Sequence, residues 1–278
     1  MDGADEGALP HRAASMGSAR SAGLEICVDS VASAAAAQSG GASRLELCAN
    51  LIEGGTTPSI GLLSVVLRTV SIPVHVMVRP RGGDFLYSPE EVEVMLAEIG
   101  SIRQAGAAGV VLGVLDAAGA VDESLLLRLV EASAPLPVTF HRAIDVSCDL
   151  IEALEACRRC GVARILTSGG APTAPEGAQA LRRLVDAAAG RLLVAAGGGL
   201  TESNAAALVA ATGVPEVHGS LRGVRASEMR HRPAPPIFMG GEKVNTPEVE
   251  FELKAVQQER VAAVVRALQP AGPDAPTD

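Results

Sequence analysis

What most constrains this chain is a rhythm: short aliphatic or β-branched runs alternate with stretches of helical periodicity, and the pair repeats eight times. The strand candidates are residues 24–28, 44–47, 74–78, 110–114, 138–140, 164–166, 192–195 and 216–218. Each is followed by a segment that reads as a helix. Ser88 ahead of Pro89 and two glutamates marks one helix start, and Asp122 ahead of a leucine-rich run marks another. Gly40, Gly106, Gly161, Gly190 and Gly213 sit where helices should end. Eight βα units in 278 residues predict an α/β fold, a single-domain TIM (β/α)8 barrel. A doubly wound sheet shares the same local pattern and is the fallback.

Composition narrows the function classes. Hydrophobic residues at 48% against 20% charged exclude global disorder, while 2% aromatics leave the packing to Ala, Val and Leu. A net charge of -9 argues against a nucleic-acid partner, which calls for a basic face. Five cysteines, an odd number at irregular spacing, point away from a disulfide framework and toward a reducing, cytoplasmic setting. No apolar run approaches the roughly 18–20 residues that span a bilayer, so no membrane role is expected. Residues 1–22 read as a disordered leader, with Met16 a possible internal start; 23–269 hold the barrel; 270–278, punctuated by Pro270, Pro273 and Pro276, read as a disordered tail. Between the eighth strand and a last helix expected near Pro247 lie residues rich in Gly, Pro and Arg, which read as a functional loop or lid.

Strand alternation sorts the polar side chains. Leu24, Ile26 and Val28 share one face of the first strand, and Glu25, Cys27 and Asp29 the other. The second strand sets Leu45 and Leu47 against Glu46 and Cys48; the third sets three valines against His75, Met77 and Arg79. His141 ends the fifth strand opposite Phe140, and His218 and Ser220 stand opposite Val217. With the aliphatic face turned to the helices, Glu25, Glu46, Arg79, His141 and His218 converge in the barrel or at its mouth. Such convergence is read either as a self-satisfied ionic network or as a ligand site, and five ionisable groups exceed what packing needs. On the same face, Arg81 lies in a glycine-rich turn after the third strand. Ser168, Gly169, Gly198, Gly199 and Ser220 follow the last three strands, where barrels commonly hold phosphate or carboxylate groups.

Several strings carry a resemblance. EICVDS from Glu25, RLELC from Arg44, EGGTTPS from Glu53, MVRPRGGDFLYS from Met77, TFHRAID from Thr139, and the later LTSGG, GGGL and HGS resemble the CutC copper homeostasis family from about Leu24 to the final helix. The resemblance implies a TIM barrel, a homo-oligomer, a cytoplasmic setting and a role in copper handling. It also places the family's proposed copper-binding cysteines at Cys27 and Cys48.

Two chemistries follow. Cys27 and Cys48 close the matching tetrads Leu-Glu-Ile-Cys and Leu-Glu-Leu-Cys on neighbouring strands, about 4.8 Å apart when in register. Two soft sulfurs, with Met77 a candidate third donor, suit Cu(I); the alternative is that both thiols are buried as small hydrophobes. The rival is an enzyme acting on a small anionic metabolite, bearing phosphate or carboxylate. Glu25 or Glu46 would be its base, His141 its acid or base, and Arg79 its anion clamp, with Asp145 and His218 in attendance. Asp145 and His141 follow the same strand without a serine elbow, so no Ser-His-Asp arrangement is expected. A divalent metal held by His141, His218 and the glutamates ranks below both. Cys148, Cys157 and Cys160 read as packing or surface thiols, and Met229, His231 and Met239 as loop residues.

Overall fold

The computed structural model describes residues 21–235, 237 and 251–269. Residues 1–20 of the leader, the tail from 270, Met239 and Pro247 lie outside that range. Eight parallel strands pair in chain order and close into a barrel: β1 (Gly23–Val28), β2 (Arg44–Leu47), β3 (Val74–Met77), β4 (Gly109–Leu112), β5 (Val138–Phe140), β6 (Arg164–Thr167), β7 (Leu193–Gly197) and β8 (Glu216–Gly219). The helices around them are α1 (Val31–Ser39), α2 (Ile60–Thr69), α3 (Pro89–Ala105), α4 (Glu123–Ser133), α5 (Leu150–Arg159), α6 (Ala178–Ala188), α7 (Ala205–Thr212) and α8 (Gln258–Leu268). The expected barrel is therefore the observed one.

Helices α1 to α5 each open on a side-chain cap. Ser88 Oγ accepts from the Glu91 N–H, and Glu91 returns the bond to the Ser88 N–H at 2.8 Å, so a reciprocal capping box opens α3. Asp122 caps α4 in the same sense through the Leu125 N–H. Most of the strands' aliphatic side chains face outward into the helical layer, where Ile26, Leu45, Leu47 and Val76 are fully buried; Val111 and Leu166 face inward. Each such side chain contributes about 1.5–3 kcal/mol of transfer free energy.

One expectation needs correction. The segment after β8 opens as a strand, β9 (Arg222–Ala226), which pairs antiparallel with β10 (Glu252–Val256); the last helix starts at Gln258 rather than near Pro247. The ribbon escaped notice because most of its residues are exposed, so it has no apolar face to alternate.

The other strand faces point inward and are polar where barrels are usually aliphatic. At the amino-terminal end, Arg44, Arg164 and Glu216 join Glu25. Arg164 grips Glu25 with both terminal nitrogens at 2.9 and 3.0 Å and reaches Glu216 at 2.8 Å; Arg44 binds Glu25 at 2.6 Å and also pairs with Glu216. Two arginines and two glutamates form a neutral floor. Burial would raise the Glu25 carboxyl, but Arg164, then His218 and Arg44, overcome it and hold the group well below the usual carboxylate range. His75 is also buried there, which pushes it down to about 4 and keeps it neutral.

Two predictions follow from this floor. Arg164→Met leaves Glu25 and Glu216 short of a cation, and urea unfolding should show a loss of about 3–5 kcal/mol. Acid should act in two stages. Between about pH 6.5 and 4 the unfolded chain takes up the His75 proton that the native chain refuses, so stability falls with pH. Below about 4.5 the Glu25 contribution, complete above that pH, is lost as the folded value is crossed. Urea midpoints that stay flat from pH 7 to 4 would contradict this account.

Candidate functional site

Above the floor the barrel opens into a cavity of about 300 Å3, bordered by Cys27, Glu46, Met77, Arg79, His141, Leu166 and His218 from the strands and their ends, and by Glu53, Gly54, Phe85 and Arg142 from the loops beyond them. Alternation brings the strand residues inward, and small partners make room for the large ones. A side chain on Gly113 would collide with the His141 ring, and one on Gly109 with His75.

The register of the first two strands departs from expectation. Cys27 lies opposite Glu46 and Glu25 opposite Arg44, so the two Leu-Glu-x-Cys tetrads are slid by two residues instead of matched. Closing a barrel demands such stagger. It separates the glutamates into layers, Glu25 in the floor and Glu46 beside Cys27. The sulfurs still meet: Cys27 Sγ and Cys48 Sγ lie 3.7 Å apart, and the Cys48 thiol donates to Glu46 Oε2 at 3.5 Å. Both pack with Met77 and Val111 in a small apolar cluster, flanked by Leu51. Both cysteines are unpaired by disulfide.

One donor atom each from Cys27, Glu46 and Cys48 falls within 4.8 Å of the others, and Glu25, Glu46 and His218 form a second such group. The first fits a soft ion. Two metal–thiolate bonds of about 2.3 Å span at most about 4.6 Å, so one ion can touch both sulfurs. The second is already committed, because Glu25 is held by two arginines and by His218 Nδ1 at 2.8 Å.

The imidazoles differ in charge. Burial alone would lower His218, but Glu46, then Cys27 and Glu25, raise it to about 10, so it is a cation at neutral pH. Burial, with Arg79 nearby, pushes His141 down to about 3, so it is neutral. Its Nδ1 accepts from the Ala143 N–H at 3.2 Å, which leaves the ring proton on Nε2. The Cys48 thiol is raised well above its ordinary value by its hydrogen bond with Cys27 and by burial.

Other expected site residues stand elsewhere. Arg79 borders the cavity yet meets no carboxylate among the described residues; it donates to the carbonyls of Glu53, Gly55 and Gly83 at 2.7–3.0 Å, tying two loops together. Arg81 is partly exposed and pairs with Asp84 and Glu91 away from the cavity. Asp145 is saturated by Thr167, Ser168, Gly170 and Arg142, so it positions Arg142 and the loop after β6. Ser168, Gly169, Gly198, Gly199 and Ser220 do not border the cavity. Ser168 receives Arg142 Nη2 at 2.8 Å, and the space above Gly198 and Gly199 is filled by Arg142 and Thr173. These glycines serve close packing, and the expected anion anchor is not assembled from them.

Sequence reasoning missed Arg44, Arg164 and Glu216, though the same alternation reaches them, two positions before Glu46, Leu166 and His218. It also missed the roles of Glu53, Phe85 and Arg142, which lie past strand ends where no periodicity operates. Cys157 and Cys160 are buried in and beside α5, and Cys148 is exposed. Met229 and His231 are exposed, and no described residue of the 221–247 segment borders the cavity.

Comparison with known proteins agrees with this architecture. A family model described as the CutC family matches residues 22–223. The mouse copper homeostasis protein cutC homolog is 47% identical over 86% of this chain and 86% of its own length, and the human homolog is 49% identical over 75% and 77%. A solved structure of CutC from Streptococcus agalactiae superposes with a TM-score of 0.69 at 32% identity, covering 72% of this chain and 98% of that one. The barrel, its paired cysteines and these relatives make this chain a member of the CutC family.

Proposed function

We propose that this protein binds copper(I) through Cys27 and Cys48 and serves copper homeostasis in the cytoplasm. The observation that carries the reading is the pair of sulfurs 3.7 Å apart in a buried, largely apolar cluster, with Glu46 and Met77 beside them. Thiolate and thioether donors favour Cu(I) over harder ions. The names of the mouse and human relatives point the same way. A reducing compartment suits the site, because oxidation to a disulfide would consume both donors at once.

A divalent ion at Glu25, Glu46 and His218 is the weaker reading. Glu25 would have to leave two arginines, and His218 would have to lose a proton held up to about pH 10. The enzyme reading loses Glu25 and Asp145 as reactive groups, since both are spent on internal partners.

Anaerobic titration against a chromophoric Cu(I) chelator tests the proposal. One copper per chain is expected. The double variant Cys27→Ser plus Cys48→Ser should lose more than about 100-fold in affinity, beyond what second-sphere changes cause, while Cys148→Ser leaves it intact. Equal binding by the double variant and the unmutated chain would refute the assignment.

A further inference from the structure

The thiols account for the lower part of the cavity and leave its upper part unexplained. Three buried polar atoms of cavity-bordering residues have no hydrogen-bond partner among the described residues: Arg79 Nε, His141 Nε2 and Glu46 Oε1. Their residues are only 5%, 3% and 3% exposed, so bulk water does not compensate them. An uncompensated buried polar atom costs about 1–3 kcal/mol. Three on residues that border one cavity therefore point to a ligand that completes them.

The atoms also state what that ligand must offer. Arg79 is cationic; Nη1 gives both of its N–H groups to carbonyls and Nη2 gives one, while Nε–H has no partner among the described residues. His141 is neutral with Nδ1 engaged, so Nε2–H is a second donor. Both side chains pack against Phe85, each about 5.0 Å from its ring centre, and so are gathered around one ring at the cavity border. Glu46 Oε1, deeper and beside Cys27, is an acceptor. We infer that the barrel mouth binds a small hydroxycarboxylate, its carboxylate toward Arg79 and His141 and its hydroxyl toward Glu46.

Carboxylate is favoured over phosphate on two grounds. Two free N–H donors match two planar oxygens, and the glycine loops that would add backbone donors for a phosphate are filled by Arg142 and Thr173. A volume of about 300 Å3 lies at the lower limit of ligand pockets, which restricts the guest to a few carbons. The three atoms are nitrogens and an oxygen, but Glu46 also stands beside the sulfurs, so the inference concerns the copper-free chain.

The test uses the copper-free full chain and isothermal titration calorimetry with glycerate, propionate and inorganic phosphate. Glycerate should bind saturably. Propionate, with the same carbon count and neither of the two hydroxyls, should bind at least about tenfold more weakly, and glycerate should bind about tenfold more weakly to His141→Phe, which keeps a ring and loses the Nε2–H donor. The calorimetry runs on copper-free chain and the Cu(I) titration on chain without glycerate, so each proposal can fail while the other stands. In chain labelled with 15N-histidine, glycerate should shift the Nε2 resonance of His141 and leave that of His75 in place, a readout that requires no variant to fold. Absence of saturable glycerate binding, equal binding of propionate, preference for phosphate, or an unmoved His141 resonance would each overturn the inference.

Discussion

Two arginines and two glutamates occupy the amino-terminal end of this barrel, and the rest of the interior depends on their mutual neutralisation. Each ion alone would forfeit several kcal/mol of hydration, a cost that only close, multiply bonded partners offset. Arg164 supplies that closeness by reaching both carboxylates, and Arg44 closes the set from the neighbouring side. With Glu25 fixed, His218 has a firm partner on Nδ1 and directs Nε2 toward Glu46, 3.7 Å away. The charge state of the middle layer is thus set from below.

Stagger does the remaining sorting. Were the two Leu-Glu-x-Cys tetrads in register, Glu25 and Glu46 would face one another and their repulsion would raise the cost of ionising both. The observed slide sets each glutamate against a different neighbour and makes Glu46 and Cys27 a cross-strand pair. The same slide lifts Cys48 above Cys27. Sulfurs from different levels still meet because strand tilt carries the higher side chain across the lower one.

The barrel was legible in the sequence because eight strand–helix pairs repeat, and burial on one side with function on the other left a period-two signature in β1, β2, β3, β5 and β8. Leu24, Ile26 and Val28 against Glu25 and Cys27 is the clearest case. Cap chemistry located α3 and α4 for an equally local reason. The interior polar set followed from the same alternation, yet its division into floor and cavity did not. That division rests on register between strands, a long-range quantity that no single strand encodes. Asp145 shows the second limit: a carboxylate near the mouth looks reactive in sequence, and only the surrounding N–H and hydroxyl donors reveal it as spent. The β9–β10 ribbon shows the third, since exposed strands carry no apolar period.

Charge accounting connects the floor to the metal reading. Loading Cu(I) on two thiols releases two protons and brings in one positive charge, so the sulfur pair becomes net negative by one. A buried negative charge needs a partner, and His218 already stands as a cation beside Cys27, held there by Glu25 and Glu46. A divalent ion on the same two sulfurs would leave the pair neutral and face the His218 cation with no net charge to balance it. The imidazolium that makes the lower carboxylate group a poor seat for a hard dication therefore makes the sulfur pair a better seat for a soft monovalent one. His141, directly after β5, is buried beside Arg79 and Phe85 and stays neutral, which is why it can donate without adding charge. One residue type thus serves as counterion at the bottom of the cavity and as neutral donor at the top, and the difference lies in which carboxylates each ring can reach.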